Sequence, residues 1–323
     1  MRITVAIVVP VWNQARLLER LLETVSQQTR QPDEVVVVDN GSTDDAPDRG
    51  RSWGARVISL GRNRGFAAAV NCGIAACSAD WVALVNSDVE LCPDWLEKLL
   101  DAAQDTQASF CCGKLFKTGD RSILDGAWDL IAASGMPLRA GNGQPDSTAF
   151  GSRRSIAMTS ATAALYRREL FTSVGVFDER YGSYLEDVDF SLRCAVAGFR
   201  GAYEPGAVAY HIGGASGGAM VRLFARNQVL LVRKLFPVEL QRKFRSRIKL
   251  GRLLWGALAL RHLQFAAWVK GLKDARLTSM DPAPLDSAKL EQLLLESERE
   301  IDSLHGTDLY WRLYFLFTRG ESR

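Results

Sequence analysis

Four short apolar runs, each followed by a single helical stretch, fill the first hundred residues and constrain this chain more than any other feature. Residues 3–9 form a continuous apolar run, and residues 34–38, 56–60 and Trp81–Val85 are the next three predicted strands. A run without polar alternation is what a strand buried on both faces requires. Between the first two runs, Leu17, Leu18, Leu21, Leu22 and Val25 share one helical face, and Asn13 stands where an N-cap belongs. A small-residue helix is predicted over 65–76, and Pro93 opens another at its first turn. Strands separated by single helices predict an α/β fold. Its sheet is Rossmann-like, mixed but mostly parallel and flanked by helices, with ligands at the carboxyl ends of the strands.

After this the pattern loosens. Residues 134–151 hold four Gly, two Pro and several small polar residues, and are predicted to be a mobile surface loop. Helices are expected near Arg167 and Glu186, with short strands around 199–203 and 207–211. From Ala219 onward the reading is entirely helical and includes an acidic amphipathic helix over Ser287–Leu304. There is no internal repeat. A chain of 323 residues holds one large α/β domain, or a medium one with a helical appendage. Its 47% hydrophobic and 24% charged residues exclude a disordered chain.

The net charge of +3 is unevenly spread: residues 219–280 carry 14 Lys or Arg against Glu239 and Asp274. That asymmetry points to an anionic partner, nucleic acid or a lipid surface. Leu253, Leu254, Leu258, Phe265 and Trp268 among those charges favour an interfacial helix on an anionic membrane over nucleic acid. The first apolar run is short, is broken by Pro10 and lacks a small-residue cleavage site, so it reads as a strand and not a leader. No uncharged stretch approaches the roughly 20 residues of a membrane span. The six cysteines show no CxxC pair or zinc spacing and read as reduced, mostly buried thiols. A cytoplasmic protein, at most peripheral on a membrane, is expected.

Several segments carry candidate chemistry. Pro10-Val11-Trp12-Asn13 lies where the first strand meets the first helix, so helix-start amides there can meet an anion, or the segment is an ordinary turn. Asp39-Asn40-Gly41-Ser42 puts a carboxylate at a strand end, either to accept the N3–H of a pyrimidine or to close an Asx-turn. Arg62 and Arg64 are candidates for phosphate, with Gly65 permitting close approach of the backbone beside Asn63, Phe66 and Asn71. Neither GxGxxG nor a P-loop is present. Asn86-Ser87-Asp88 ends the fourth strand, where a carboxylate serves either a divalent ion or a helix cap. Glu186, Asp187 and Asp189 crowd three carboxylates into four positions. Their repulsion suits a general base, although Arg193 stands four residues on, placed to pair with Asp189. His211 ends an apolar strand, as a metal ligand or a core residue.

Together these pieces resemble family 2 glycosyltransferases of the GT-A fold, most closely the bacterial rhamnosyltransferase branch. The matching text is IVVPVWNQARLLERLLETVSQQT, VVVVDNGSTDD, NRGFAAAVNCGI, WVALVNSDVEL, TSATAALYRRELFTSVGVFDERY, YLEDVDFSLRCAVAGFR and AYHIGGAS, with RLFARNQVLLVRKLFP following. It spans residues 3 to about 237. The resemblance implies a GT-A catalytic domain over 1–218, with a nucleotide-binding half to about 115 and an acceptor half beyond it, followed by helices over 219–323. Pro10, Val11, Trp12, Asn13, Asp39 and Asn40 would hold the nucleotide, and Asn63, Gly65 and Asn71 the floor beneath base and diphosphate. Asp88 and His211 would hold Mg²⁺ or Mn²⁺, Asp187 would deprotonate the acceptor, and Glu186 would seat it. Asn86 replaces the first acid of the family's DxD motif and leaves one negative charge fewer on the ion.

The reaction so implied is a single displacement with inversion from a dTDP-, UDP- or GDP-linked sugar, rhamnose foremost. The acceptor is a glycan or lipid-linked glycan at the inner face of the plasma membrane, and loop 134–151 closes over the donor. Two alternatives stand beside it. A sugar-phosphate nucleotidyltransferase needs a Gly-rich basic loop after the first strand, where PVWNQ stands instead. A catalytically idle assembly partner is opposed by the Asp88, Asp187 and His211 set.

Overall fold

The structure, a computed structural model, describes residues 2–213 and 217–318. Gly214, Ala215 and Ser216 of the AYHIGGAS block, and the last five residues of the helical reading, lie outside that range. The first half runs β1 (Val5–Val11), α1 (Ala15–Ser26), β2 (Glu34–Asp39), α2 (Ala46–Ser52), β3 (Arg56–Ser59), α3 (Phe66–Ala76), β4 (Trp81–Val85), β5 (Val89–Leu91) and α4 (Trp95–Thr106). It continues through β6 (Phe110–Lys117), β7 (Asp120–Gly126), β8 (Asp129–Ile131), β9 (Pro137–Arg139), β10 (Arg154–Ile156), β11 (Ala163–Arg167), α5 (Glu169–Ser173), α6 (Glu186–Val196) and β12 (Gly201–His211). Six helices follow: α7 (Gly218–Leu235), α8 (Val238–Lys243), α9 (Arg245–Arg261), α10 (Phe265–Leu277), α11 (Ser287–Leu304) and α12 (Leu309–Thr318).

The ten-stranded sheet has the order β10-β12-β6-β11-β4-β1-β2-β3, with β5 on β12 and β7 on β6. The block β4-β1-β2-β3 is parallel, as expected from its single-helix connections, whereas β11 is antiparallel to both β4 and β6. The apolar runs are explained by burial on two sides. Along β1, Ala6 and Val8 pack with α3, while Val5, Ile7 and Val9 pack with α1 and α4. Successive side chains of a strand point to opposite faces, so polar alternation would bury a charge. Gly73 of α3 lets that helix lie directly on Val8 of β1, where a Cβ would overlap the valine.

Several boundaries differ from the sequence reading. Asn13 has a φ of 53° and does not cap α1; Gln14 takes that place, and Asn13 Oδ1 accepts from the Thr43 amide at 2.7 Å. Leu17 is only half-buried, whereas Ala15 joins the buried face. Pro93 precedes the N-cap Asp94 instead of opening α4. The two short strands near the end of the sheet are one strand, β12, with a register shift between Glu204 and Val208 around Pro205-Gly206.

The largest correction concerns residues 134–151: the first half, to Gly141, is packed into the protein, and only residues 142–149 run along the surface. Ser134, Met136, Ala140 and Phe150 are buried, and β9 pairs with β8 inside the segment. Buried backbone outside a large sheet needs other partners. Within the segment, the Ala140 amide donates to the Trp128 carbonyl at 2.8 Å, the Gly143 amide to the Leu124 carbonyl at 2.9 Å, and Gln228 of α7 donates to the Ser134 carbonyl at 2.7 Å; just before it, Ser297 Oγ and Glu298 Oε1 of α11 accept from the Ile131 and Ala133 amides at 2.7 and 2.9 Å. The terminal helices therefore share the core. Tyr310, Trp311, Tyr314 and Phe315 of α12 pack in one cluster with Trp128 and the strand residues of β1 and β4.

Candidate active site

A cavity of about 650 Å³ opens at the carboxyl ends of the parallel strands, where the order reverses between β1 and β4. In open α/β sheets that switch point is where the loops diverge and a ligand crevice forms. Pro10, Val11, Trp12, Asn40, Asn63 and Phe66 line its β1–β2 side. Asn86, Ser87, Asp88, Glu186, Asp187 and His211 line the rest.

Six predicted residues stand off the wall, among them Arg64, which pairs with Glu179 at 3.2 Å. Asn13 braces the Thr43 turn. Asp39 is buried and accepts from the Ser42 amide and from Ser59 Oγ, each at 2.8 Å, so the Asx-turn is formed. Arg62 is exposed, its backbone against Gly41. Gly65, at a φ of 90°, caps α3, and a Cβ there would come within 2.7 Å of the Gly182 carbonyl oxygen. Asn71 exchanges hydrogen bonds with the Phe177 backbone, donating at 2.8 Å and accepting at 3.1 Å. Gly65 and Asn71 thus clamp α3 to the segment that carries the acidic cluster.

Strand register brings Asp88 and His211 together across more than a hundred residues. His211 of β12 pairs with Val89 of β5, and the Ile212 amide donates to the Asp88 carbonyl at 3.0 Å. His211 Nε2 then lies 3.4 Å from Asp88 Oδ1, and Nδ1 lies 2.9 Å from Asp125 Oδ2. Burial opposes the imidazolium, but the two carboxylates outweigh it and hold the His211 pKa up at about 9. The buried Oδ1 of Asn86, one turn away, has no hydrogen-bond partner. Two ligand-type side chains beside an orphaned oxygen fit a divalent cation that draws its remaining ligands from elsewhere. No group of three or more His, Cys, Asp or Glu with metal-holding geometry occurs among the described residues.

The three acids after Tyr184 are sorted by environment. Asp189 is fully buried and paired, at 2.8 Å to Arg193 and 2.7 Å to Lys234 Nζ, with Tyr181 Oη donating at 3.1 Å. The expected Arg193 pair is therefore present, and the residue is structural. Glu186 is buried with an unpartnered Oε2, and burial and the neighbouring Asp187 drive its pKa well above the ordinary value. Asp187 alone is half-exposed on the cavity; its Oδ2 accepts from the Ala161 amide at 3.3 Å and its Oδ1 from the Val188 amide at 2.9 Å. The preceding Tyr184 and Leu185 both have φ near 70°, a costly pair for non-glycine residues. Asn227 of α7 holds them, its Nδ2 reaching the carbonyls of Tyr181, Ser183 and Tyr184 at 3.1, 2.8 and 2.6 Å.

Sequence reasoning missed Asp125, Asp129, Arg139 and Asn227. Arg139 projects into the cavity wall from β9, 3.0 Å from Asp125 and 3.6 Å from Asp129, with Thr162 Oγ1 at 3.3 Å. Burial pushes the Asp129 pKa up to about 7 against the opposing pull of Arg139, and the charge of Asp187 adds to the rise. The signal that was present is the apolar triplet Leu130-Ile131-Ala132 between two acids and a distant arginine. It was masked by Gly and Pro.

Residues 6–175 match the family Glycosyl transferase family 2, and the chain belongs to that family; it is a glycosyltransferase of GT-A fold. It is 34% identical over 218 residues to N-acetylglucosaminyl-diphospho-decaprenol L-rhamnosyltransferase of Mycobacterium tuberculosis, covering 60% of this chain and 71% of that one. Pre-mycofactocin glycosyltransferase of the same organism is 31% identical over 212 residues, 64% of this chain and 42% of the relative. Among solved structures, mannosyltransferase PcManGT from Pyrobaculum calidifontis in complex with GDP-Man and Mn²⁺ superposes with a TM-score of 0.56 at 17% identity, covering 100% of this chain and 89% of that one. GalNAc-T7 with UDP, GalNAc and Mn²⁺ gives a TM-score of 0.66 at 15% identity, over 94% of this chain and 58% of that one.

Proposed function

We propose that this glycosyltransferase is an inverting, metal-assisted enzyme that takes its sugar from a nucleotide-sugar donor, with dTDP-L-rhamnose the first candidate. Its acceptor is a glycan or a lipid-linked glycan of cell-surface polysaccharide synthesis. It works as a peripheral protein on the cytoplasmic face of an anionic membrane. The observation that carries the reading is that one cavity at the switch point of the sheet is lined by both the Asp88–His211 pair and Asp187. The rhamnosyl donor and lipid-linked acceptor are favoured by the mycobacterial relative's name.

In this reading Asn40, Asn63 and the Pro10–Trp12 segment bind the nucleoside, and Asn86, Asp88 and His211 hold Mg²⁺ or Mn²⁺. A divalent ion bound there supplies positive charge to the departing diphosphate. Asp187 takes the proton of the acceptor hydroxyl while that oxygen attacks the anomeric carbon from the opposite side. Glu186, buried at the cavity with an unpartnered Oε2, hydrogen-bonds an acceptor hydroxyl and so seats it. With β9 half-buried between buried neighbours and Arg139 on the cavity wall, residues 134–141 serve as a fixed wall that excludes water, not as a closing lid.

The test is a thermal-shift panel of dTDP-, UDP- and GDP-sugars with and without Mn²⁺, followed by transfer to an N-acetylglucosaminyl-diphospho-polyprenol. Expected are stabilisation by one donor class only in Mn²⁺ and release of the nucleoside diphosphate on transfer. Formation of pyrophosphate from a sugar phosphate and a nucleoside triphosphate would overturn the reading.

A further inference from the structure

Asp125 sits behind His211 on β7, the strand that turns back along β6 next to β12. Its Oδ2 accepts from two donors, His211 Nδ1 at 2.9 Å and Arg139 Nη1 at 3.0 Å. Arg139 is fixed in turn by Ser160 Oγ, by Thr162 Oγ1 at 3.3 Å and by the Asp129 carboxylate at 3.6 Å. The carboxylate thus cannot swing away from the ring without breaking a buried ion pair, which is costly. An imidazole offers two chemically equivalent edges until something distinguishes them. A carboxylate at Nδ1 keeps a proton on that nitrogen and stops the ring from turning over, so that Nε2 faces Asp88 and is the nitrogen that gives up its proton when an ion binds.

We infer that Asp125 is a positioning residue, which with Arg139 orients the His211 ring so that Nε2 alone faces the ion site beside Asp88. The inference rests on the assignment of Asp88 and His211 to a divalent ion given above. It adds that Asp125 on β7 and Arg139 on β9, outside every motif that marks the family in this sequence, help to set the site's affinity. The Asp125–Arg139 pair also joins the two ends of the cavity. Arg139 carries one hand to the His211 side and lies close enough to Asp187 for its charge to be felt there.

The experiment uses the full chain, with Asp125→Asn as the near-isosteric variant and Asp125→Glu as the conservative one. Mn²⁺ binding in the presence of nucleoside diphosphate is measured by titration calorimetry, and nucleoside diphosphate binding is measured again without Mn²⁺. The imidazole ¹⁵N shifts are read on protein loaded with diamagnetic Mg²⁺ and nucleoside diphosphate. His211 is one of three histidines and is assigned with a His211→Gln variant. Expected is a loss of about 10–100-fold in Mn²⁺ affinity for Asp125→Asn. Expected too are unchanged metal-free nucleotide binding, partial recovery in Asp125→Glu, and a shift of the His211 proton away from Nδ1.

A purely structural Asp125 would lower thermal stability without moving the imidazole shifts, and that result overturns the inference. So does Mn²⁺ affinity within twofold of wild type in Asp125→Asn while His211→Gln loses it. If the wild type itself shows no Mn²⁺-dependent nucleotide binding, the ion-site assignment falls first and the inference with it. The wild-type titration alone distinguishes that outcome.

Discussion

Glu186, Asp187 and Asp189 share one helical turn and one sequence motif, yet their surroundings give them three different chemistries. Asp189 meets two cations and a tyrosine, so its charge is matched; Glu186 is buried with its Oε2 unpartnered, so its neutral form is favoured; Asp187 is the half-exposed one at the cavity. Asp187→Asn keeps the shape and the Ala161 contact but cannot take a proton, so kcat should fall by roughly 10²–10⁴. Donor affinity should stay unchanged, and steady-state kinetics at saturating substrates checks both; a variant with more than a tenth of wild-type turnover would place the base elsewhere. Glu186 makes a separate prediction about stability. Its folded pKa is raised above the unfolded value of 4.5, so its contribution is fully present below pH 4.5 and fades as pH climbs through the folded pKa. Glu186→Gln removes that titration. Thermal melts at pH 5 and pH 8 should show little difference between variant and wild type at the lower pH and a gain for the variant at the higher one; a gap that shrinks with rising pH would contradict this.

At the scale of elements, α7 is the support on which the segment 181–185 depends. Two consecutive left-handed residues cost on the order of 1–3 kcal/mol each and persist only when neighbours over-determine them. The buried amide of Asn227 is that neighbour, since it serves three carbonyls of the segment. Asn227→Ala leaves those carbonyls without it, at a cost of about 1–3 kcal/mol in unfolding free energy. Amide exchange over 181–185 should quicken while the β1–β4 block stays protected; exchange-mass spectrometry showing no local change would remove Asn227 from this role. The same comparison explains what was legible in the sequence. Strands β1, β2 and β4 announce themselves because burial on both faces leaves a nearly unbroken apolar text, whereas β3 is the half-exposed edge strand. Asp88, Asp187 and His211 were legible because each ends or begins such an element. Residues 134–151 were not, because their distant partners, Gln228 on the Ser134 carbonyl and the Leu304 carbonyl on Gln144, are brought near only by the fold, and small buried residues read the same as small exposed ones. Asn227 and Asp125 stayed hidden for a related reason: their partners are backbone carbonyls and a ring nitrogen brought near only by the fold.

At the scale of the whole molecule, the basic segment proves less free than its composition. The charge of +12 over residues 219–280 is partly matched by acids outside that window, where Arg247 pairs with Glu298, Lys243 with Glu291, and Lys234 with Asp178 and Asp189. The predicted apolar face is also divided. Leu254 and Leu258 pack against the core, and Trp268 stacks on Phe265 at 5.2 Å and covers Gly256. What faces outward is the α9–α10 turn, with Leu253, Leu260 and Phe265 exposed and Leu263 at its tip 92% exposed. Lys249, Arg261, Lys270, Lys273 and Arg276 are exposed on the same two helices. No helix of the described residues is long and apolar enough to cross a membrane. If this turn docks on a lipid surface, each basic residue near an anionic headgroup layer adds about 1 kcal/mol, and the leucines add the apolar part. Binding to anionic vesicles should then be strong at low salt and fall as salt rises, because the charged part is screened within about 10 Å at 0.1 M. Leu263→Asp and Arg261→Glu should each weaken it several-fold in sedimentation with anionic vesicles, while Lys243→Glu, in a pair facing α11, should do little. Equal binding to neutral vesicles would assign the attraction to the leucines alone, and binding to neither would show that this exposed turn does not dock on lipid.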